Sequence, residues 1–394
     1  MPKNIVICCD GTGNEYGDLN SNVVHLYQAL IQDDRRQACY YHPGVGTEGS
    51  PTSHNKLEAF FAIVAGLGFG KGLLRYVGDA YRFLMDVYED GDHIYLFGFS
   101  RGAYTVRALS GMLHMFGLLH RGNDGLIPYI LKMFAKRTRK ASGMKDSFDE
   151  AAGFQATYSR KVLVHMVGVW DTVNSVGMVW DPLKLPYTAR NPIMENGRHA
   201  VSIDERRSFF RNNLWGAAFP EQSIKQVWFA GVHSDIGGSY PVDRSGLSQI
   251  TLQWMLCEAV HLGLLVDSHR AEQILGRIPP PPPMQPNPAQ PINVSLKGWW
   301  WLLEILPHHY YDTATQKMYW TIPRGESRTI PPGSVIHQSV VEKLKLDPTY
   351  RPKNLPEQWD TCIEPDVPCH FPFEAWAERS KPAIGSQDIP AAEA

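Results

Sequence analysis

The sequence has little net charge and no long uninterrupted apolar segment. Its 394 residues carry 38 Lys and Arg against 40 Asp and Glu, so no overall field favours nucleic acid or an anionic membrane surface. The most apolar stretch, residues 57–74, is interrupted by four glycines and a lysine, whereas a membrane-spanning helix needs about 20 nearly continuous apolar residues. We interpret this stretch as a loop and helix that line a pocket.

Cysteine is scarce, and the beginning of the sequence carries no targeting pattern. The six cysteines are scattered through mostly apolar segments, as is typical of reduced, buried thiols. Cys362 and residues 369–370 lack a second pair at metal-ligand spacing, which disfavours a zinc site. Residues 1–4 lead directly into a strand-like segment, without the regions of a signal peptide. We therefore expect a cytoplasmic location by default, and export by a secretion system stays open.

The first strand-like segment ends in Asp10-Gly11-Thr12, a pattern also found at the start of phosphatases of the haloacid-dehalogenase type. Those enzymes need a second aspartate two positions earlier, where this chain has Cys8. A thiol cannot replace a carboxylate that must also bind Mg²⁺, because this hard ion prefers oxygen ligands. The sequence excludes that phosphatase activity and leaves Asp10 for another role.

Strand-like and helix-like segments alternate along the chain. Five segments have the β-rich or continuously apolar character of buried strands: residues 5–9, 38–41, 93–97, 162–170 and 224–232. Helical apolar patterns at residues 22–31 and 73–87 separate the first three. This alternation predicts an α/β fold with a central, mostly parallel sheet flanked by helices. In such sheets the functional residues gather at the carboxyl ends of the strands.

The third strand-like segment runs into residues 98–102, whose sequence G-F-S-R-G matches G-x-S-x-G. Between a strand and a helix this pattern indicates a nucleophile elbow, because its glycines let the two elements pack closely around a sharp turn. Apolar residues at helical spacing follow the motif. Ser100 is therefore the predicted nucleophile, and a chance pentapeptide in a tight turn is the alternative.

A catalytic serine needs a base, and the base needs a carboxylate that orients it. The chain order Ser, Asp, His of this fold is met by Asp171 and His233, which follow the fourth and fifth strand-like segments. Asp171 would also suit a helix N-cap, and His233 a packed histidine before two glycines. His199 is the competing base, although its charge-rich surroundings are more typical of a salt-bridged surface or a buried ion network. The predicted triad is Ser100, Asp171 and His233.

The loop after the first strand is predicted to face the nucleophile, because the usual winding places the first and third strands side by side. The amides of Gly11 or Thr12, together with that of Arg101, are the predicted oxyanion-hole donors. Asp10 and Asn14 are predicted to support this loop through side-chain hydrogen bonds.

A metal site on Asp10 and Asp235 is the alternative use of the same loop. The sequence offers no complete set of oxygen ligands around these two residues. We therefore expect neither a metal nor another cofactor.

Five motifs in order resemble the broad α/β-hydrolase domain family that includes phospholipase effectors of bacterial type VI secretion. They are D-G-T-x-N at residues 10–14, S-N-V at 21–23, G-F-S-R-G-A at 98–103, V-W-D-T-V at 169–173 and W-F-A-G-V-H-S-D-I-G-G at 228–238. The resemblance covers about residues 3–262 and implies an α/β-hydrolase fold with a lipase-like Ser-Asp-His site. That site would consist of Ser100, Asp171 and His233.

Composition divides the chain into four parts. We predict a catalytic domain at residues 1–275, a proline-rich connector at 276–292, an extension packed on the core or covering the site at 293–380, and a flexible tail at 381–394. The aromatic residues between 299 and 311 suit either packing on the core or contact with lipid.

The sequence predicts a serine ester hydrolase that acts on lipid-like or phospholipid acyl esters through an acyl-enzyme intermediate. Its partners would be the ester substrate and, transiently, a membrane surface, with no nucleic acid. A non-catalytic module that binds a ligand or partner on the same fold is the alternative. The sequence leaves the oligomeric state and the acyl chain length open.

Overall fold

One parallel sheet organises the part of the chain that the computed structural model describes: residues 2–11, 17, 19–44, 69–136, 144–173, 177–178, 181–182, 185–278, 285–298, 300–305, 307–312 and 317–362. Its strands are β1 (Asn4–Cys9), β2 (Gln37–His42), β3 (His93–Phe99), β4 (Val164–Trp170), β5 (Met194–Ser202), β6 (Ser223–Phe229), β7 (Val335–His337) and β8 (Asp360–Cys362). They lie in the order β8-β7-β6-β5-β4-β3-β1-β2, and every neighbouring pair is parallel. The predicted α/β fold is confirmed.

Helices cover both faces of this sheet. They are α1 (Asn22–Ala29), α2 (Phe69–Val87), α3 (Arg101–Phe116), α4 (Ile127–Lys136), α5 (Met144–Tyr158), α6 (His233–Gly237), α7 (Gly246–His261), α8 (Ser268–Ile274), α9 (Trp300–Ile305) and α10 (Gln338–Leu346). Short 3₁₀ turns occupy Asp124–Leu126, Ser208–Phe210 and Val242–Arg244. Three further antiparallel pairs join Leu118–Leu119 with Ser159–Arg160, Gly177–Met178 with Asp181–Pro182 and His308–Asp312 with Lys317–Thr321. Among the described helices, none has the length and apolarity needed to cross a bilayer.

Strand β1 shows why the central strands are apolar on both sides. Successive side chains of a strand point to opposite faces. Ile5 and Ile7 therefore pack with α2 and α3 on one face, while Val6 and Cys8 pack with α1 and α7 on the other. Each fully buried side chain of this size contributes about 1.5–3 kcal/mol, so the two layers hold the sheet between them.

Strand β5 was not predicted, because it does not read as an apolar segment. Its sequence MENGRHAVS contains polar and charged residues. Arg198 in this strand is nevertheless buried, and its Nε lies 2.6 Å from an Oε atom of Glu258 on α7. Lys225 Nζ approaches the second Glu258 oxygen to 2.7 Å. The charge-rich segment therefore does contain an ion network, but it lies inside a strand of the sheet.

The extension predicted at residues 293–380 continues the sheet through β7 and β8. Strand β7 pairs with β6 through Val227 and Val335. The described end of the proline-rich connector is tied to α7, where the Asn287 amide donates to the Gly246 carbonyl over 3.1 Å. The predicted flexible tail lies outside the described residues, as does most of the predicted pocket wall at residues 57–74.

The aromatic residues predicted to pack on the core or to touch lipid are divided between the two environments. Leu303 on α9 is buried, and the Trp300 ring lies 5.5 Å from that of Phe210. Trp301, on the same helix, remains 44% exposed.

The sequence predicts reduced thiols, and one cysteine departs from that prediction. Cys8, Cys9, Cys39 and Cys362 carry reduced thiols. Cys257 on α7 is instead disulfide-bonded.

Candidate active site

The turn between β3 and α3 holds Ser100 in a conformation that non-glycine residues rarely adopt. Ser100 has φ 57° and ψ −117°, and its amide donates to the Trp170 carbonyl over 3.1 Å. The glycines on either side make this turn possible. A Cβ on Gly98 would lie 2.6 Å from the Gly102 carbonyl carbon, and one on Gly102 would collide with the Cys9 carbonyl oxygen. This is the geometry expected of a nucleophile elbow.

The structure brings the three predicted triad residues together. Ser100 Oγ lies 2.8 Å from His233 Nε2, and His233 Nδ1 lies 2.5 Å from Asp171 Oδ2. In the neutral tautomer that these partners favour, the serine hydroxyl donates to Nε2 and Nδ1–H donates to the carboxylate. Ser100, Asp171 and His233 follow β3, β4 and β6 respectively, so one edge of the sheet presents all three.

His233 is buried at the start of α6 between two aromatic rings. The ring centroids of Phe99 and Phe210 each lie 4.7 Å from that of the imidazole. Burial lowers the pKa of His233 below its usual value, and the hydrogen bond that the imidazole donates to Asp171 acts in the opposite direction without cancelling it. At neutral pH the imidazole is therefore uncharged and able to accept a proton.

Asp171 is completely buried and is held by two residues besides His233. Its Oδ1 accepts from the Ser202 amide over 3.0 Å. The two terminal nitrogens of Arg328 donate to Oδ1 over 2.6 Å and to Oδ2 over 2.9 Å. Burial alone would raise the pKa of Asp171, but Arg328 and His233 together lower it well below its usual range. Asp171 is therefore an ionised carboxylate. Its contacts are those of a buried ion pair and not those of a helix N-cap.

The loop after β1 is anchored by Asp10. Its Oδ2 accepts from Ser21 Oγ over 2.5 Å and from the Tyr41 hydroxyl over 3.0 Å, which ties the loop to the N-cap of α1 and to β2. Its Oδ1 accepts from the Gly11 amide over 2.6 Å. The Gly11 amide thus bonds Asp10 in this structure, and its part in an oxyanion hole remains a prediction.

The other residues predicted to form the oxyanion hole or to support its loop are only partly described. Arg101 is the first residue of α3, which places its amide in the turn beside Ser100. Thr12 and Asn14 lie outside the described residues.

The metal alternative has no matching geometry in the part of the chain that the structure describes. No group of three side chains of His, Cys, Asp or Glu is arranged to hold an ion there. Asp235 instead accepts from the Val232 amide over 2.9 Å and from the Asn293 side chain over 2.7 Å.

His199, the competing base, has a different role. Its Nε2 accepts from the Thr172 amide over 3.2 Å, and its ring packs edge-on against Trp215. Burial, with the positive charge of Arg107, lowers the pKa of His199 to about 3. The neutral ring supports the backbone next to Asp171.

Sequence reasoning missed two charged neighbours of the predicted triad. Arg328 is a single arginine in a loop rich in proline and glycine, 157 positions from its partner Asp171, and no local pattern identifies it. Glu205 accepts from the His233 amide over 3.2 Å and from the Arg207 guanidinium over 2.9 Å. Its signal was the mixed charge of residues 204–207, which the sequence alone could not connect to His233.

A family model matches the part of the chain that contains Ser100, Asp171 and His233. The family described as "T6SS, Phospholipase effector Tle1-like, catalytic domain" matches residues 3–258, more than half of the chain. The chain belongs to the Tle1-like family. The resemblance predicted from the five sequence motifs is confirmed.

Relatives of this Tle1-like chain include a protein of Saccharomyces cerevisiae, "Uncharacterized protein YEL023C". It is 37% identical over 227 residues, which are 53% of this chain and 32% of that protein, so the chain spans about a third of that relative's length. A crystal structure of an uncharacterized protein from Pseudomonas aeruginosa is 19% identical, with a TM-score of 0.42 over 67% of this chain and 46% of the other. A Tle1 effector bound to the VgrG spike of the type VI secretion system is 19% identical, with a TM-score of 0.31 over 61% and 52%.

Proposed function

We propose that this protein is a serine ester hydrolase that acts on the acyl esters of phospholipids or similar lipids. The observation that carries the proposal is the hydrogen-bond chain from Ser100 Oγ to His233 Nε2 at 2.8 Å and from Nδ1 to Asp171 at 2.5 Å. This arrangement lets a serine lose its proton as it attacks a carbonyl.

The proposed reaction has two halves. Ser100 Oγ attacks the ester carbonyl carbon while His233 Nε2 takes the hydroxyl proton, and the same proton then leaves on the alcohol. A water molecule attacks the acyl-enzyme with His233 again as base, which releases the fatty acid and restores Ser100. Asp171 stays ionised throughout and stabilises the imidazolium that forms in each half.

The oxyanion hole in this proposal consists of the Arg101 amide and an amide of the Gly11–Thr12 loop. Such donors stabilise the charge of the tetrahedral intermediate better than that of the ester. For Gly11 to take part, its N–H must exchange the Asp10 carboxylate for the oxyanion. This requirement makes the loop after β1 the element that adjusts on substrate binding.

The lipid substrate class rests on the family, whose description names a phospholipase effector. Apolar side chains beside the site agree with it. Trp301, Leu302 and Ile305 on α9 are 44%, 44% and 59% exposed, and α9 reaches His233 through Trp300 and Phe210. We include transient contact of this helix with a membrane surface, and export through a secretion system, in the proposal.

The test is hydrolysis of p-nitrophenyl esters from acetate to palmitate, and of phosphatidylcholine vesicles, by the wild type and by Ser100→Ala. The variant should lose activity by about 10⁴-fold or more, and long-chain esters and vesicles should be preferred. Ser334→Ala is the control, because this serine lies in the extension and bonds only the nearby Pro331 carbonyl among its described side-chain contacts.

Two results would contradict the proposal. Undiminished activity in Ser100→Ala would exclude the serine mechanism. No wild-type activity on any ester, together with no labelling of Ser100 by a fluorophosphonate, would favour the non-catalytic binding module.

A further inference from the structure

Arg328 lies in the extension, outside residues 3–258 matched by the family, yet its guanidinium reaches the centre of the site. The side chain is 1% exposed and the Asp171 side chain is fully buried. Two parallel bonds of 2.6 and 2.9 Å join them. A planar guanidinium that meets both oxygens of a carboxylate fixes its orientation as well as its charge.

The guanidinium is itself fixed by backbone groups of the catalytic domain. One terminal nitrogen also donates to the Ser202 carbonyl at the end of β5 over 3.2 Å, and the other donates to the Phe210 carbonyl. Phe210 in turn packs its ring against His233. The extension therefore contributes a charged side chain to the contacts that surround the Asp171 carboxylate, including one to the oxygen that bonds His233.

We propose that Arg328 is a positioning residue of the active site, which orients Asp171 toward His233 and weakens the negative charge that the imidazole experiences. This inference rests on the proposed hydrolase function. Arg328 touches neither substrate nor Ser100 in this scheme and acts only through Asp171.

The charge of Arg328 must be weighed against the other groups around His233. Ser100 at the elbow and Asp171 after β4 bond the imidazole, and the charges of Glu205 and Arg207 after β5 also act on it. Asp235 lies on the histidine's own helix, and His199 on β5 bonds the backbone directly after Asp171. Glu205 is ion-paired with Arg207, as Asp171 is with Arg328. Loss of Arg328 would leave one uncompensated carboxylate in direct contact with the imidazole.

Loss of the Arg328 charge changes the pKa of His233 through the carboxylate of Asp171. An unpaired Asp171 stabilises the imidazolium more strongly and raises the pKa of His233. Since the base must be neutral to accept the Ser100 proton, the acidic limb of the kcat/KM profile should then move to higher pH.

The experiment compares the kcat/KM profiles of the full-length wild type, Arg328→Gln and Arg328→Lys on p-nitrophenyl butyrate between pH 4 and 9. Gln removes the charge and should move the acidic limb upward by about one pH unit. Lys keeps the charge but not the two parallel bonds, so its limb should stay within about 0.3 units of wild type while kcat falls roughly 10- to 100-fold.

Arg351→Gln is the matched control, because this exposed arginine of the same extension donates only to backbone carbonyls among its described contacts. Its profile should equal that of the wild type. All rates are divided by the amount of folded enzyme, which is determined from the monodisperse fraction and its far-ultraviolet circular dichroism.

Three outcomes overturn the inference. Folded Arg328→Gln with the wild-type pH profile would show that the charge does not reach His233. Folded Arg328→Lys with the wild-type kcat would show that orientation does not matter. Failure of both variants to fold would assign Arg328 to the stability of the fold alone. An inactive wild type would instead refute the proposed function, so the two failures are distinguishable.

Discussion

Gly102 illustrates how a single residue controls the geometry of the site. It is buried in the first turn of α3, directly under the backbone of β1, where an added Cβ would collide with the Cys9 carbonyl oxygen and lie 2.5 Å from the Asp10 carbonyl oxygen. Both contacts are backbone atoms, one in the last residue of β1 and one in the loop that follows it, and the strand atom cannot move aside without disturbing the sheet. The same close approach brings the loop after β1 beside Ser100.

Gly102→Ala is therefore expected to destabilise the protein by about 3 kcal/mol, as overpacking of a rigid core does. Urea unfolding followed by circular dichroism measures this change. Gly153→Ala is the control, since a Cβ on this exposed glycine of α5 meets nothing within 4 Å and should stabilise the helix by up to about 1 kcal/mol. Equal unfolding midpoints for the two variants would refute the steric argument.

Helix α10 binds the proline-rich connector through hydrogen bonds from one of its side chains. Lys343 on this helix is buried, and its Nζ donates to the Gln290 carbonyl over 2.7 Å and to the Pro288 carbonyl over 3.3 Å. Tyr350, just after the helix, donates its hydroxyl to Asp204 over 3.0 Å. The extension is thus attached through polar contacts as well as through β7 and β8.

Lys343→Met should leave these two carbonyls without their ammonium donor and cost about 1–3 kcal/mol. The connector should also become more susceptible to limited proteolysis around residues 285–292. Lys345→Met tests the specificity, because Lys345 is exposed on the same helix and should change neither quantity. If the connector of Lys343→Met is cleaved no faster than that of the wild type, the hydrogen bonds of Lys343 do not keep it in place, and the pairing of β7 and β8 is sufficient.

For the whole molecule, buried carboxylates link stability to pH. Burial tends to raise the pKa of Glu205, but the ion pair with Arg207 outweighs it and lowers the pKa to about 2. The unfolded chain therefore binds this proton more strongly than the folded protein. The stabilisation is present in full above about pH 4.5, the ordinary range of a glutamate, and is lost as the pH falls toward 2.

Glu205→Gln should consequently differ most from the wild type in free energy of unfolding at pH 6 to 7, and the difference should narrow below about pH 4.5. Asp204 acts in the opposite sense, since burial raises its pKa to about 6, so the wild-type curve alone does not isolate Glu205. Urea titrations of both proteins from pH 3 to 7 measure the difference, with the exposed Glu357→Gln as control. A constant difference across this range would exclude the linkage.

Much of the architecture was predictable because its signals are local. Five of the eight described strands of the sheet read as apolar segments, and G-x-S-x-G stands where a strand passes into a helix. The proximity of Ser100, Asp171 and His233 also followed, because parallel strands bring their carboxyl ends to one edge of the sheet.

Local sequence patterns were enough to predict the α/β fold, the elbow and the three residues that meet at the edge of the sheet, since each depends on a short motif and on the winding rules of parallel strands. The groups that surround these three residues became visible only in the folded structure. Arg328 contacts Asp171 across 157 positions, and β5 hides its charges by pairing Arg198 with Glu258. Such contacts arise from packing between segments that are distant in the sequence. No characteristic spacing along the chain indicates which charged residues will form a pair.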